Sequence, residues 1–138
     1  MGIGTRDCGD DALGPVVCDR IRRLDSTVDV WILEADPTTL AMLWRPDDRV
    51  VVIDAVTTGA APGTLLEFDP VLLAASAAAQ AMRVADPLRL SDVRGTRPRQ
   101  IHVLGVESAG TTPGSALSPA VAARVDDVAA HVLRLLQP

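Results

Sequence analysis

Three carboxylates stand where chemistry is possible. Asp10 and Asp11 close a glycine-rich loop that runs Gly2-Ile3-Gly4-Thr5-Arg6-Asp7-Cys8-Gly9 and leads into a helical pattern, and Asp54 ends the apolar run Val50 to Ile53. A nucleotide reading of the loop fails. A dinucleotide fingerprint needs glycine where Asp7 stands, and a phosphate loop needs Lys and Ser or Thr after Gly9, where Asp10 and Asp11 stand. Carboxylates repel phosphate, so the loop suits a cation or a proton. One of the two acids is expected to cap the helix, a frequent role for Asp beside the exposed amides and positive end of a helix. Two adjacent acids exceed what a cap requires, which leaves the other as a candidate ligand. Asp54, taken alone, also reads as a strand-end turn residue. In open α/β sheets, however, ligands bind beyond the carboxyl ends of the strands, and the acidic loop opens at that same end. The two elements are therefore expected to bring their carboxylates together. Oxygen donors from two elements suit a divalent metal, with imidazole or thiolate as the usual further ligand of nickel or zinc.

The remaining reactive side chains offer less. His131 lies near the end of the last helical pattern, where the helix dipole or plain solvation accounts for it. His102 sits in mid-strand, short of the carboxyl end, and is expected in the core or facing a helix rather than on a metal. Cys8 lies in the acidic loop with no base beside it, and Cys18 reads as a small core residue. The two cysteines form no zinc motif and are expected to be reduced thiols.

The elements that must position these residues alternate between strand and helix. Val28 to Leu33, Val50 to Ile53, Thr64 to Phe68 and Ile101 to Val106 read as strands, rich in β-branched residues and bounded by turn signals. Leu13, Val17, Ile21 and Leu24 fall on one face of a first helix; Thr39 to Trp44 suggests a short second one and Leu72 to Ala85 a third. Ser118-Pro119 opens a last helix whose buried stripe is Val121, Val125, Val128, Val132 and Leu135. This order predicts an α/β three-layer sandwich with a mostly parallel twisted sheet flanked by helices. A Gly-x-Gly turn that opens a helix normally follows a buried strand, and only Met1 precedes Gly2, so the first strand is expected to be missing. That pattern points to a true start upstream of Met1, and otherwise to an open apolar edge.

Composition bounds the rest. The 138 residues make one domain, 1–138, with 48% hydrophobic and 22% charged residues, so neither disorder nor a fibrous repeat fits. A formal net charge of −5, with thirteen arginines scattered along the chain, argues against nucleic acid as a partner. No apolar run reaches the roughly 20 residues of a membrane span, and the first residues carry no secretion signal, so no membrane partner is expected and the cytoplasm is the default location.

Together these segments resemble the hydrogenase maturation protease family, endopeptidases that remove a C-terminal extension from the large subunit of nickel-iron hydrogenases. Gly2-Ile3-Gly4-Thr5 followed by Asp10-Asp11-Ala12-Leu13-Gly14 is similar to the family's Gly-x-Gly-Asn and Asp-(Asp/Glu)-x-x-Gly opening. Val50 to Val56 with Pro62-Gly63-Thr64 resembles its central segment, and Leu104-Gly105-Val106-Glu107 with Leu117-Ser118-Pro119 its ending. The likeness covers nearly the whole chain and implies a phosphorylase/hydrolase-like fold. It further implies no serine or cysteine nucleophile, two carboxylates and a histidine that bind the nickel held by the immature large-subunit precursor, and that precursor as partner. The resemblance places the catalytic and metal-binding carboxylates at Asp11 and Asp54. It places the third metal position at Gln80, where the family has histidine, and a glutamine carbonyl is a harder and weaker nickel ligand than imidazole. Thr5 for Asn and Pro87 within a helix are further departures. Three functions follow: the processing endopeptidase, with nickel supplied by its substrate; a divergent, inactive member that binds a hydrogenase subunit; and an unrelated metal-dependent hydrolase that uses the two acids.

Overall fold

The computed structural model describes residues 1–34, 36–75 and 83–138. Five strands form one sheet: β1 (Gly2–Ile3), β2 (Ile32–Leu33), β3 (Arg49–Val56), β4 (Leu65–Phe68) and β5 (Gln100–Glu107). Their spatial order is β2-β1-β3-β5-β4, all neighbours parallel except β4, which runs antiparallel to β5. Among the described residues six helices accompany them: α1 (Leu13–Leu24), α2 (Leu40–Leu43), α3 (Pro70–Ala75), α4 (Ala85–Arg94), α5 (Pro119–Ala122) and α6 (Val125–Leu136). Of the expected third helix, the part at 76–82 lies outside the described residues; Ala85, expected at that helix's end, instead begins α4.

Alternation along β3 decides which helices cover which face. Val50, Val52 and Val56 pack with Leu40, Trp44, Val84, Ala85 and Leu88, the layer of α2 and α4. Val51 and Ile53 point the other way, onto Leu13, Val17 and Ile21 of α1 and Val128 and Val132 of α6. A strand buried on both faces needs an unbroken apolar run, and Val50 to Ile53 supplies one. The three-layer expectation holds. Leu24 departs from the expected α1 stripe and is 49% exposed; on the last helix, split here into α5 and α6, Val125 and Leu135 are half-buried at the edge of the stripe rather than within it.

The expected absence of a first strand is corrected. Gly2–Ile3 lies inside the sheet: the Gly2 amide donates to Trp31 O at 2.8 Å, Gly4 N to Leu33 O at 3.0 Å, and Ile53 N to Met1 O at 2.9 Å. Two residues carry no alternation pattern, so sequence periodicity does not reveal them, and β1 is an interior strand rather than an open edge. At the amino ends of β2 and β3 the sheet borders a groove of about 1040 Å³ lined in part by Val28, Val30, Trp31, Val50 and Val51. Asp10, Asp11 and Asp54 do not line it; they sit at the other end of the strands.

Two devices fix that other end. The start of α1 presses against β1 with no side chain between them, because a Cβ on Gly14 would lie 2.3 Å from Ile3 O. Asp10, fully buried, ties the acidic loop to the chain after β5. Its carboxylate accepts from Ala109 N at 2.7 Å, Ser118 N at 2.7 Å and Ser118 Oγ at 2.9 Å, while its own amide donates to Gly110 O at 2.9 Å. The expectation that one of the acid pair caps the helix is thereby corrected, since neither carboxylate makes a cap bond to α1 or to the 3₁₀ turn Gly9–Ala12 that precedes it. Burial on its own would raise the Asp10 pKa, but the bonds from Ser118 and Ala109 outweigh it and hold the carboxyl below its ordinary range.

Both devices are open to test. Gly14→Ala should lower stability by about 1–3 kcal/mol, read as a reduced urea midpoint at unchanged slope, because the added methyl meets backbone that cannot give way. Asp10→Asn should cost about 2 kcal/mol at neutral pH, since charge-assisted bonds are lost and an amide N–H₂ then faces donors. A carboxyl held low in the native state binds fewer protons than in the unfolded chain, so its contribution is complete above the unfolded value and is lost as pH falls through the native one. The stability gap between wild type and Asp10→Asn should accordingly close as pH drops below about 4, measured by urea titrations at a series of pH values.

Candidate active site at the carboxyl end of the sheet

Strand order reverses at β1, with β2 on one side and β3 on the other, so the crevice between the ends of β1 and β3 is a topological switch point. Asp54 lies in β3 one residue past Ile53, the partner of Gly2 in β1. By the alternation described above it points to the face of Val52 and Val56, the side covered by α4. Its side chain is only 1% exposed. Asp11 approaches from the 3₁₀ turn that follows β1, its side chain 17% exposed. Gly4 makes this approach possible: its φ is +143° and a Cβ there would stand 1.8 Å from Asp11 O.

The two carboxylates meet, as the sequence led us to expect, and what joins them is a residue the sequence reading missed. Nη2 of Arg83, in the turn just before α4, donates to Asp11 Oδ1 at 2.7 Å and makes a short bond to Asp54 Oδ1; Arg83 Nε donates to Asp54 Oδ2 at 3.3 Å. The guanidinium thus grips Asp54 with two nitrogens and reaches Asp11 with one of them. The other oxygen of Asp11, Oδ2, accepts the Thr5 amide at 2.7 Å. Burial pushes the Asp54 carboxyl above its usual range, an effect that Arg83 opposes and the neighbouring Asp11 charge reinforces. Burial on its own would lower the Arg83 pKa, but its bonds to Asp54 and Asp11 and their charges outweigh that and raise it. No motif spacing marks Arg83. The available signal was charge balance: two acids converging at a buried strand end require a nearby cation, and Arg83 is the arginine just ahead of the apolar pair Val84-Ala85 that enters the core on that face.

The remaining candidates fall as follows. Gln80, the expected third metal position, lies outside the described residues. Among the described residues no group of three or more His, Cys, Asp and Glu is arranged to hold a metal ion. His102 is not in the core: half-buried, its Nδ1 sits 2.8 Å from Glu67 Oε1 across the β4/β5 edge. His131 lies on α6 with its Nδ1 3.2 Å from Arg134, away from the acids. Both cysteines are free; Cys18 is buried as expected, and the Cys8 thiol donates to Thr111 O at 3.3 Å. A fourth acid closes the site's rim. Glu107, at the end of β5, accepts from the Thr58 hydroxyl at 2.7 Å and from the amides of Thr58 and Gly59, which hold it below the ordinary range and pin the loop after β3.

Chemically the arrangement is a pair of carboxylates that share one cation at the mouth of a parallel sheet, with no hydroxyl or thiol nucleophile bonded to either acid among the described residues. Among the described residues no helix is long and apolar enough to cross a membrane. The sequence profile of the hydrogenase maturation proteases matches residues 23–135, a span that holds Asp54 and Arg83 and begins after Asp11. Among curated proteins no sequence match is found. Solved structures share the fold. An endopeptidase from Escherichia coli aligns with a TM-score of 0.82 at 23% identity over 98% of this chain and 88% of its own. The [NiFe] hydrogenase maturation protease HybD from Thermococcus kodakarensis aligns at 0.79 and 23% identity over 99% of this chain and 96% of its own. A hydrogenase 2 maturation peptidase from a Thaumarchaeota archaeon gives 0.66 and 26% identity over 98% and 94%. The profile match spans most of the chain, and on it the chain belongs to the hydrogenase maturation protease family.

Proposed function

We propose that this protein is an endopeptidase that removes the C-terminal extension of a nickel-iron hydrogenase large-subunit precursor, and that Asp11 and Asp54 recognise the nickel carried by that precursor. Family membership supports the reaction class. The observation that carries the site assignment is the convergence of two acids from separate elements on a single cation position at the switch point of the sheet. Nickel enters as part of the substrate. Two oxygens from the enzyme suit a metal whose remaining ligands come from the precursor, and a metal fixed beside the scissile segment orients it and polarises its carbonyl toward attack by water. The residues of this chain contribute position: Thr5 N fixes one oxygen of Asp11, and β3 delivers Asp54 from the sheet itself. The cytoplasm is the proposed location, in keeping with the free thiols of Cys8 and Cys18.

A second reading has its own observation. Arg83 already pairs with both acids, an arrangement that also suits a member retained for binding the precursor without cutting it.

Incubation of the purified protein with a nickel-loaded precursor from the same genome, followed by mass analysis of the precursor, separates the two. We expect loss of a short C-terminal peptide. Asp11→Asn and Asp54→Asn should each lower the cleavage rate by roughly 100-fold or more, the size of effect that follows when several kcal/mol of charge stabilisation vanish. Full cleavage by both variants sinks the carboxylate assignment; a precursor that binds and stays intact with the wild type supports the binding reading.

A further inference from the structure

The best-defined feature of the site is one that a pair of metal-binding carboxylates does not need. Arg83 Nη2 lies within bonding distance of one oxygen from each acid, Asp11 Oδ1 and Asp54 Oδ1. A metal ion bridging those same two oxygens would have to stand between them, where this nitrogen is. Guanidinium and metal therefore compete for one position. The competition is uneven for an ion arriving from solution. A tethered cation is present at the site at an effective concentration that dilution does not reduce, on the order of millimolar for a short tether, whereas a free divalent ion must displace it from its own, lower, concentration. Arginine also keeps its charge at every physiological pH, so no ordinary change in acidity relieves the block. Its planar fork suits Asp54 in particular, taking Nε and Nη2 to the two oxygens of one carboxylate.

We propose that Arg83 is the residue that sets the metal specificity of this site: a tethered cation that holds Asp11 and Asp54 against free divalent ions, so that only a metal centre presented by a docked polypeptide takes its place. This rests on the function proposed above and adds to it a reason why a peptidase that reads a metal in its substrate is not captured by metal in its surroundings. A docked precursor brings the metal with its own ligands and with the binding surface of a whole subunit. That surface supplies the free energy to move one side chain, and a free ion has no such source. Arg83 is suited to move, because its side chain is 35% exposed where Asp54 is sealed in the sheet.

The test is calorimetric titration of the full-length protein with nickel chloride. Wild type is expected to bind weakly; Arg83→Gln, which keeps hydrogen-bonding capacity without charge, should bind nickel at least tenfold more tightly, and the gain should vanish in Arg83→Gln combined with Asp11→Asn. Equal affinity in wild type and Arg83→Gln, or a gain that survives the loss of Asp11, overturns the proposal. If circular dichroism shows that Arg83→Gln does not fold, Arg83→Lys supplies the measurement. It keeps a cation against the buried acid but lacks the two-armed grip, and its nickel affinity should exceed that of the wild type severalfold; no increase overturns the proposal equally. A second readout uses cleavage of the precursor with and without added nickel chloride. The added ion should inhibit Arg83→Gln, by filling the pair, at concentrations that leave the wild type unaffected. The same assay keeps the two readings apart. Normal cleavage by Asp11→Asn defeats the site assignment itself, whereas dependence on Asp11 with no change in nickel affinity at Arg83→Gln defeats the role of Arg83 alone.

Discussion

The structure is organised around a charge problem at the end of its central strand. Asp54 is placed by β3, and β3 is buried on both faces, so the carboxylate leaves the sheet into a region shielded from water. Taking such a group out of water costs several kcal/mol unless a partner of opposite charge and good geometry is supplied. Arg83 is that partner, and its position follows from the layer it belongs to. It stands one residue before Val84, which is fully buried with Val52 and Val56 on the same face of the sheet. The strand fixes the acid, the entry of α4 fixes the base, and Asp11 joins them from the turn after β1.

That junction holds only if three loops keep their places, and each is held by its own polar staple. Asp10 binds the acidic loop to residues 109 and 118, Glu107 binds the loop after β3 through Thr58 and Gly59, and the Thr5 amide fixes Asp11. All are carboxylates that accept backbone N–H groups. The preference is physical: at the carboxyl ends of parallel strands the chain turns away and leaves amides without ladder partners, and an ionised carboxylate satisfies two or three at once. Four acids near the mouth of one sheet therefore do not make one acidic cluster. Asp10 and Glu107 are spent on the chain around them, Asp54 faces a cation, and Asp11 does both, with one oxygen on the Thr5 amide and the other on Arg83.

Much of this was legible before any coordinates, and what was not has identifiable causes. The apolar run Val50 to Ile53 announced a strand covered on both sides, and an acid at its end announced a site, because strand ends are where open α/β sheets bind. That the acidic loop would meet Asp54 followed from that topology, and the family resemblance singled out Asp11 as the acid that does so. β1 was missed because two residues cannot show a period of two. α4 was missed because Pro87 and the alternating charges of Asp86, Arg89 and Asp92 blur its apolar face, which is carried by Ala85 and Leu88. His102 shares the helix-covered face of Val51, as the helix-facing alternative allowed, but it is half-buried rather than in the core, because its neighbour is the antiparallel edge strand β4, whose Glu67 meets the ring.

The division of labour between Asp10 and Asp11 was the least legible feature and follows from a single turn of backbone. The 3₁₀ turn Gly9–Ala12 sends consecutive side chains in different directions, one toward the chain that follows β5 and the other toward the end of β3. Sequence presents them as equivalent acids before a helix, with capping as the default for one. Capping is not needed. The helix begins as a continuation of the 3₁₀ turn, with Ala12 already in helical conformation at the cap position, so the turn delivers no extended residue whose side chain could fold back onto the first amides. Both carboxylates are thereby released for longer-range bonds. The same local geometry that denies α1 a side-chain cap yields one acid to hold the fold and one to face a cation.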